Sequence, residues 1–308
     1  MRIITLNMHS MTEVREISMS WRERFSVIAE KFIKEQYDII ALQEVNQLVT
    51  EAPVASEELQ KSGYVGADCG EIIRKGNAAH ELAKQLNKNQ AFYKWSYCVS
   101  HLGYDIFEEG TAIFSRFPVE RSFVLDVSRR EEKGKWTYRR QTGLEINCDD
   151  KRTIFLSVHF GWWEGRENSE GFSSQWERMI RRLQEMQKDR VFIMGDLNNA
   201  DTVRSEGYDL VTGKYGFFDS YLLADKKPQK GATMMTAAID GWENTVGNAN
   251  RLDYIMVSDR IGVTVYRNVF DGKNGDIVSD HFGVEIAWDE KMNGTGQVPV
   301  MIEKQDKL

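Results

Sequence analysis

Proline is scarce in this 308-residue chain: there are four, and none cluster, so no proline-rich linker divides it. Cysteine is scarcer still. Cys69, Cys98 and Cys148 lie far apart, are odd in number and form no CxxC pair, which argues against both a disulfide framework and a cysteine zinc site. Basic charge is in deficit, with 40 Lys and Arg against 47 Asp and Glu for a formal net charge of -7. Such a chain is a poor default for nucleic acid, which is bound by neutralising phosphates. No run approaches the ~18 apolar residues of a membrane span. The opening "MRIITLNMHS" lacks the apolar core of a secretory signal. There is no internal repeat. These absences lead to an expectation of a reduced, cytoplasmic protein with neither a membrane nor a nucleic acid as partner.

What is present is ordinary for a globular protein: 41% hydrophobic and 28% charged residues, on a chain long enough for a sizeable core. Strand-like runs recur throughout, among them "RIITLNM", "YDIIALQEV", "GTAIFSRF", "TIFLSVHF", "RVFIMGDL", "RLDYIMV" and "FGVEIAW". Several are continuously apolar, so both faces of those strands should be buried. Helical patterns fall between some of them. Ser20 and Glu23 form a capping box ahead of Trp21, Phe25, Ile28 and Phe32 at helical spacing. Ser174 and Glu177 repeat that signature ahead of Met179, Ile180 and Leu183, with Trp176 in the same stripe, and "NAAHELAKQLNK" reads as a third helix. Many buried strands and few helices predict an α/β protein with two sheets packed face to face and helices outside. We expect one domain over residues 1–288 and a polar extension over 289–308.

Polar residues collect at the strand ends. Asn7 ends the first strand, Glu44 follows in "ALQEV", and His159 closes "TIFLSVH". Asp196 and Asn198 follow an apolar strand in "MGDLNN", Asp253 opens "DYIMV", and Asp280 and His281 precede the last strand. Taken singly, each reads as a turn or capping residue. Together they are hard to explain as independent turns, and strand ends are where such scaffolds place their sites. Glu44 and Asn7 offer hard oxygen ligands suited to Mg²⁺ or Mn²⁺. Asp196 can accept a proton from water, Asn198 can fix the water or a phosphate oxygen, and His159 and His281 can donate to phosphoryl oxygens. Asp253 and Asp280 can hold the histidines in orientation.

The ordered set "TLNMH", "LQEV", "EGTAIFSRFP", "SVHF", "GDLNN", "RLDYIMVS" and "SDHFGV" resembles the endonuclease/exonuclease/phosphatase superfamily over Met1 to about Trp288. The resemblance implies a DNase I-like four-layer α/β sandwich, with two central mixed β-sheets flanked by helices and a divalent-metal phosphoesterase site at one edge. It implies metal-site roles for Asn7 and Glu44, and catalytic roles for His159, Asp196, Asn198, Asp253, Asp280 and His281. Glu109 matches the carboxylate that orients His159. Arg140 looks like the arginine that reaches the phosphate, with Arg139 competing for that role. The division between general base and general acid stays open.

The superfamily's substrates are diverse, so the fold does not fix this one. Phe160, Trp162 and Trp163 follow His159 directly, and Tyr104 precedes Glu109. Aromatic faces with nearby polar groups suit a sugar ring, although each aromatic can equally be packing. "RREEKGKWTYRR" reads as a solvated hairpin rather than a strand-tracking basic stripe. The combination "LNMHS", "GNAAHELAKQL", "YKWSYCVSHLGYDIFEEG", "SVHFGWW" and "WENT" is similar to the maltose 6'-phosphate phosphatase branch of Gram-positive bacteria, departing at Met8, where that branch has Thr. The expectation is a Mg²⁺-dependent phosphomonoesterase whose partner is a small-molecule sugar phosphate, with Arg140, Tyr104, Trp162 and Trp163 at the substrate. The alternative is a phosphodiesterase or endonuclease of the same superfamily acting on nucleic acid or lipid.

Overall fold

A computed structural model describes residues 1–67, 70–88, 92–148, 150–234 and 250–288. The polar extension, Cys69 and the "WENT" motif lie outside the described residues. Two six-stranded sheets form the centre. The first contains β1 (Arg2–Asn7), β2 (Ile39–Leu48), β3 (Lys94–Gly103), β4 (Phe107–Ser115), β11 (Val263–Val269) and β12 (Gly283–Trp288), in the order β11-β12-β1-β2-β4-β3. The second contains β5 (Arg121–Asp126), β6 (Arg140–Cys148), β7 (Lys151–His159), β8 (Arg190–Asp196), β9 (Phe218–Asp219) and β10 (Asp253–Val257), in the order β5-β6-β7-β8-β10-β9. Each sheet is mixed, with one parallel pair at its centre: β1 with β2, and β7 with β8.

Strand periodicity explains the layers. Ile4, Leu6, Ile40 and Leu42 face outward into a cluster with Phe25, Ile28 and Phe32 of α1 (Trp21–Glu35) and Leu82 and Leu86 of α3 (Ala78–Asn87). Their alternates Ile3, Ile39 and Ala41 face inward and meet Phe155, Phe192, Met194 and Ile255 of the second sheet. That sheet buries its other face, through Leu156, Val158 and Ile193, against Trp176, Met179 and Leu183 of α4 (Phe172–Gln184). Strands apolar on both faces are thus sandwiched between the other sheet and a helix layer, the four-layer arrangement expected.

The α1 capping box forms as read, with Ser20 and Glu23 satisfying each other's backbone. At α4 the expected cap is corrected. The helix begins at Phe172 after Gly171, no side chain caps it, and Ser174 lies inside the first turn. Phe172 is fully buried against Phe160 and Trp176, and that packing extends the helix past the Ser174 signal. A short α2 (Ser56–Lys61) was not anticipated; it has no buried residue and so carries no apolar stripe to read.

Candidate active site

The parallel pairing of β7 with β8 sets His159 beside Asp196, and the antiparallel pairing of β10 with β8 sets Asp253 on the other side of Asp196. Gly195 allows this approach. Its φ is +144°, and a Cβ there would come within 2.0 Å of the Val158 carbonyl oxygen. In the first sheet, the β2–β4 register shifts between Leu42 and Val45. Glu44 takes a positive φ of 51° at that bulge. Bulges re-aim side chains next to sites. Here Gln43 reaches across to Ser157 Oγ of the second sheet at 2.9 Å, and Glu44 meets Asn7.

Asp196 Oδ2 is the focus of the site. Asn7 Nδ2 lies 3.4 Å from it, His159 Nε2 3.7 Å and His281 Nε2 3.8 Å. Asp196 Oδ1 accepts the Asn198 backbone N–H at 2.8 Å, and Asn198 Nδ2 donates to the Phe160 carbonyl at 2.9 Å. His281 Nδ1 donates to Asp253 Oδ2 at 2.8 Å, which fixes its tautomer and aims Nε2 at Asp196. Burial, together with Asp253 and Glu44, raises the Asp196 carboxyl to about 7 against the pull of His281. His281 is driven the other way. Burial opposes its charge, but Asp253 and Asp196 hold the imidazolium well above the ordinary histidine range. His159 is held neutral by burial and by Arg139.

Glu44 forms a second centre. It accepts from Asn7 Nδ2 at 2.8 Å and pairs with His9 Nδ1 at 3.0 Å. Burial resists its ionisation, yet His9, His159 and His281 hold it well below the usual carboxylate range. His9 also lies 3.7 Å from Asp280 Oδ1. Burial disfavours its charge, but Glu44 and Asp280 outweigh that and lift it to about 9. Asp280 therefore faces His9 and acts on His281 only through its charge, while among the described residues Asp253 is the carboxylate hydrogen-bonded to His281.

The expected pairing of Glu109 with His159 falls differently. Glu109 meets His101, with Nε2 to Oε1 at 3.3 Å, and makes no hydrogen bond or ion pair with His159. His101 Nδ1 lies 3.3 Å from Arg139 Nη1. A guanidinium only donates, so Nδ1 accepts and Nε2–H points at Glu109. Burial and Arg139 bring His101 down to about 3, consistent with that neutral ring. Burial beside Glu44 lifts Glu109 to about 8.

Of the two arginines, Arg139 is buried and lies in the field of Glu109, Glu44 and Asp196. Arg140 projects away and is held by Glu71 at 2.5 Å and Asp126 at 2.8 Å. Neighbours on an extended segment point oppositely, so only one can face the site.

The aromatics also divide. Phe160 is fully buried against Phe172 and Trp176, and Trp163 packs on the same cluster. Trp162 instead meets Trp136 and Arg166. Tyr104 stands largely exposed in the β3–β4 turn. His9 and His101 were not singled out in sequence, although each sits inside a motif, at "LNMHS" and "SHLGYDIFEEG".

The donor set suits a divalent cation. Glu44 is ionised and a hard ligand; Asn7 turns Nδ2 toward it while Oδ1, the hard ligand atom of the amide, accepts the His9 backbone N–H at 3.3 Å. A further buried group, Asp196, Asp253 and His281, offers ligand atoms within 4.8 Å of one another, and Asp253 Oδ1 has no hydrogen-bond partner. His281 Nδ1 is already engaged by Asp253 at 2.8 Å, however, so this trio is better explained as an orienting pair facing an acid.

Residues 4–281 match the model of the Endonuclease/Exonuclease/phosphatase family. Comparison with curated proteins returns no match. Among solved structures, an endonuclease/exonuclease/phosphatase family protein from Leptotrichia buccalis C-1013-b is 26% identical with a TM-score of 0.75, covering 94% of this chain and 99% of that one. The Bacteroides thetaiotaomicron mannosyl-6-phosphatase Bt3783 is 17% identical at TM-score 0.60, covering 93% and 98%. TDP2 from Caenorhabditis elegans is 18% identical at TM-score 0.57, covering 92% of this chain and 73% of that one. The last two similarities concern the fold alone.

Proposed function

The chain belongs to the endonuclease/exonuclease/phosphatase family of phosphoester hydrolases, and from that premise we propose that it is a divalent-metal-dependent phosphomonoesterase acting on a phosphorylated disaccharide, with maltose 6'-phosphate as the specific candidate. The observation that carries this is the convergence on Asp196 Oδ2 of Asn7, His159 and His281, with Asp253 fixed behind His281. A water bound there gives a proton to Asp196 as its oxygen attacks phosphorus in line. The His281 imidazolium, the buried Arg139 guanidinium and the Asn198 amide supply charge and donors to the phosphoryl oxygens. The P–O bond to the sugar breaks, the leaving oxygen takes up a proton, and the products are free sugar and inorganic phosphate. Mg²⁺ or Mn²⁺ held by Glu44 and Asn7 would supply Lewis-acid stabilisation of the phosphate.

A phosphatase for a 6-phosphorylated sugar exists on this fold, which supports the substrate class. Among the described residues no helix is long and apolar enough to cross a membrane. The proposal includes a cytoplasmic location, because phosphorylated sugars are charged and stay where they are made. It also includes a small-molecule partner rather than a nucleic acid or membrane. Phosphate release from a panel of sugar phosphates in Mg²⁺ is the test. We expect turnover to be highest with maltose 6'-phosphate; no release from any member, or plasmid nicking at lower enzyme levels, rejects the reading.

A further inference from the structure

The segment Arg129–Arg140 is not the solvated hairpin its charges suggest. A short turn over Arg130–Glu132 is followed by an irregular approach to β6, and Trp136 stands on it with 37% of its surface exposed. Exposed tryptophans are normally loose, but this one is fixed. Its Nε1 donates to Glu167 Oε2 at 2.7 Å, and its ring meets Trp162 edge-on with centroids 5.7 Å apart. Its carbonyl accepts from Arg139 Nη1 at 2.8 Å, the same guanidinium that faces the acidic centre. Trp162 is braced from behind by Arg166, whose guanidinium lies 4.1 Å from the ring centroid. The Trp162 Nε1–H, turned inward, finds no partner, so that ring is held by its faces.

Both rings hang from site residues. Trp136 lies three positions before Arg139, and Trp162 three positions after His159. Three residues span at most about 11 Å of chain, a reach that a disaccharide covers. A rigid, half-exposed aromatic surface rimmed by a cation and a carboxylate is what a pyranose requires: an apolar face to stack on and groups for its hydroxyls. Trp163, partly buried like Trp162, packs instead on the cluster of Phe160, Phe172 and Trp176.

We propose that Trp136 and Trp162, with Arg166 and Glu167 at their rim, form the platform that holds the leaving group's sugar ring and sets which phosphate ester the site accepts. This rests on the phosphomonoesterase reading for its substrate, but the platform can be tested apart from it.

Two measurements on the full chain do so. In the first, kinetics in Mg²⁺ compare maltose 6'-phosphate with glycerol phosphate, which has no ring. Trp136→Ala is expected to raise KM for the disaccharide ester about tenfold more than for glycerol phosphate, with kcat little affected and Trp136→Phe recovering most of the difference. Equal effects on both esters, or none, overturn the platform. In the second, unphosphorylated maltose is titrated against ¹⁵N-labelled protein. The Trp136 indole N–H resonance should shift saturably, while inorganic phosphate alone leaves it in place. No shift overturns the platform whatever the catalysis. A saturable shift with no phosphate release from any ester sustains the platform and rejects the phosphatase.

Discussion

Asp253 is fully buried and spends one carboxylate oxygen on His281 Nδ1, so its direct contact with the site is through that ring, while its charge also raises Asp196. Removing its charge while keeping its shape separates orientation from electrostatics. Asp253→Asn should lower kcat by about one to two orders of magnitude, the usual cost of losing an orienting carboxylate. It should also move the alkaline limb of kcat/KM to lower pH, because His281 loses the partner that holds its proton. An unmoved limb would tell against His281 as the charged donor. Asp196 governs the acid limb. Its carboxyl, raised to about 7, accepts a proton only once ionised, so kcat/KM should climb as pH rises through that value. A flat profile across pH 6–8 would remove Asp196 as base. At this scale the sequence displays identity but not direction. Asn7, His159, Asp196 and His281 at or beside strand ends are readable because their neighbours are so apolar, whereas Glu44, expected at a strand end, lies within β2 and is turned to the site by its bulge. The choice of Arg139 over Arg140, and of His101 as the partner of Glu109, turns on which face each backbone presents. The β3–β4 register shift between Val99 and His101 breaks the period-two pattern that would have shown it.

Among the elements, α1 does more than cover a sheet. Arg24 on its buried side donates to the carbonyls of His9 and Thr12 and, at 2.8 Å, to that of Val278. One guanidinium thus clasps the loop carrying His9 to the loop leading into Asp280 and His281. It was invisible as a site residue because a lone Arg within a helical stripe looks like a solvated charge, whereas it is 1% exposed. Arg24→Ala should strand buried carbonyls and cost about 3 kcal/mol. The check is the urea midpoint, measured alongside kcat. A variant with wild-type stability and wild-type turnover would show that the loops hold their geometry without it. The helix starts make the complementary point. The Ser20–Glu23 box was legible because it is local chemistry. The α4 start was not, because Phe172 is drawn into the helix by packing against residues distant in sequence.

For the molecule as a whole, the packing of two sheets face to face gathers Glu44, Glu109, Asp196 and Asp253 into one low-dielectric region, and this has a cost that depends on pH. Burial raises Asp196 from 3.8 to about 7 and Glu109 from 4.5 to about 8. Between the unfolded and folded values, the native chain holds protons that the unfolded chain releases. Each of these two groups therefore contributes less stability as pH rises through its window. His9, raised from 6.5 to about 9 by Glu44 and Asp280 against burial, acts in the same sense: its stabilisation is complete below the unfolded value and fades as pH climbs towards 9. Glu44 has the opposite sign. It is ionised in the folded state below its ordinary range, so its contribution is present at neutral pH and lost only in acid. The metal-free protein should accordingly lose stability steadily from pH 6 to pH 9. A divalent cation beside Glu44 offsets the uncompensated negative charge that grows over that interval, and proton competition for its ligands falls as well. The rise in Tm produced by saturating Mg²⁺ or Mn²⁺, read against an EDTA control, should therefore be several degrees larger at pH 8 than at pH 6. A rise that is equal at both values, or larger at pH 6, would place the cation outside this carboxylate cluster. Glu44→Gln should abolish the difference, because it removes the ionised carboxylate placed to hold the cation.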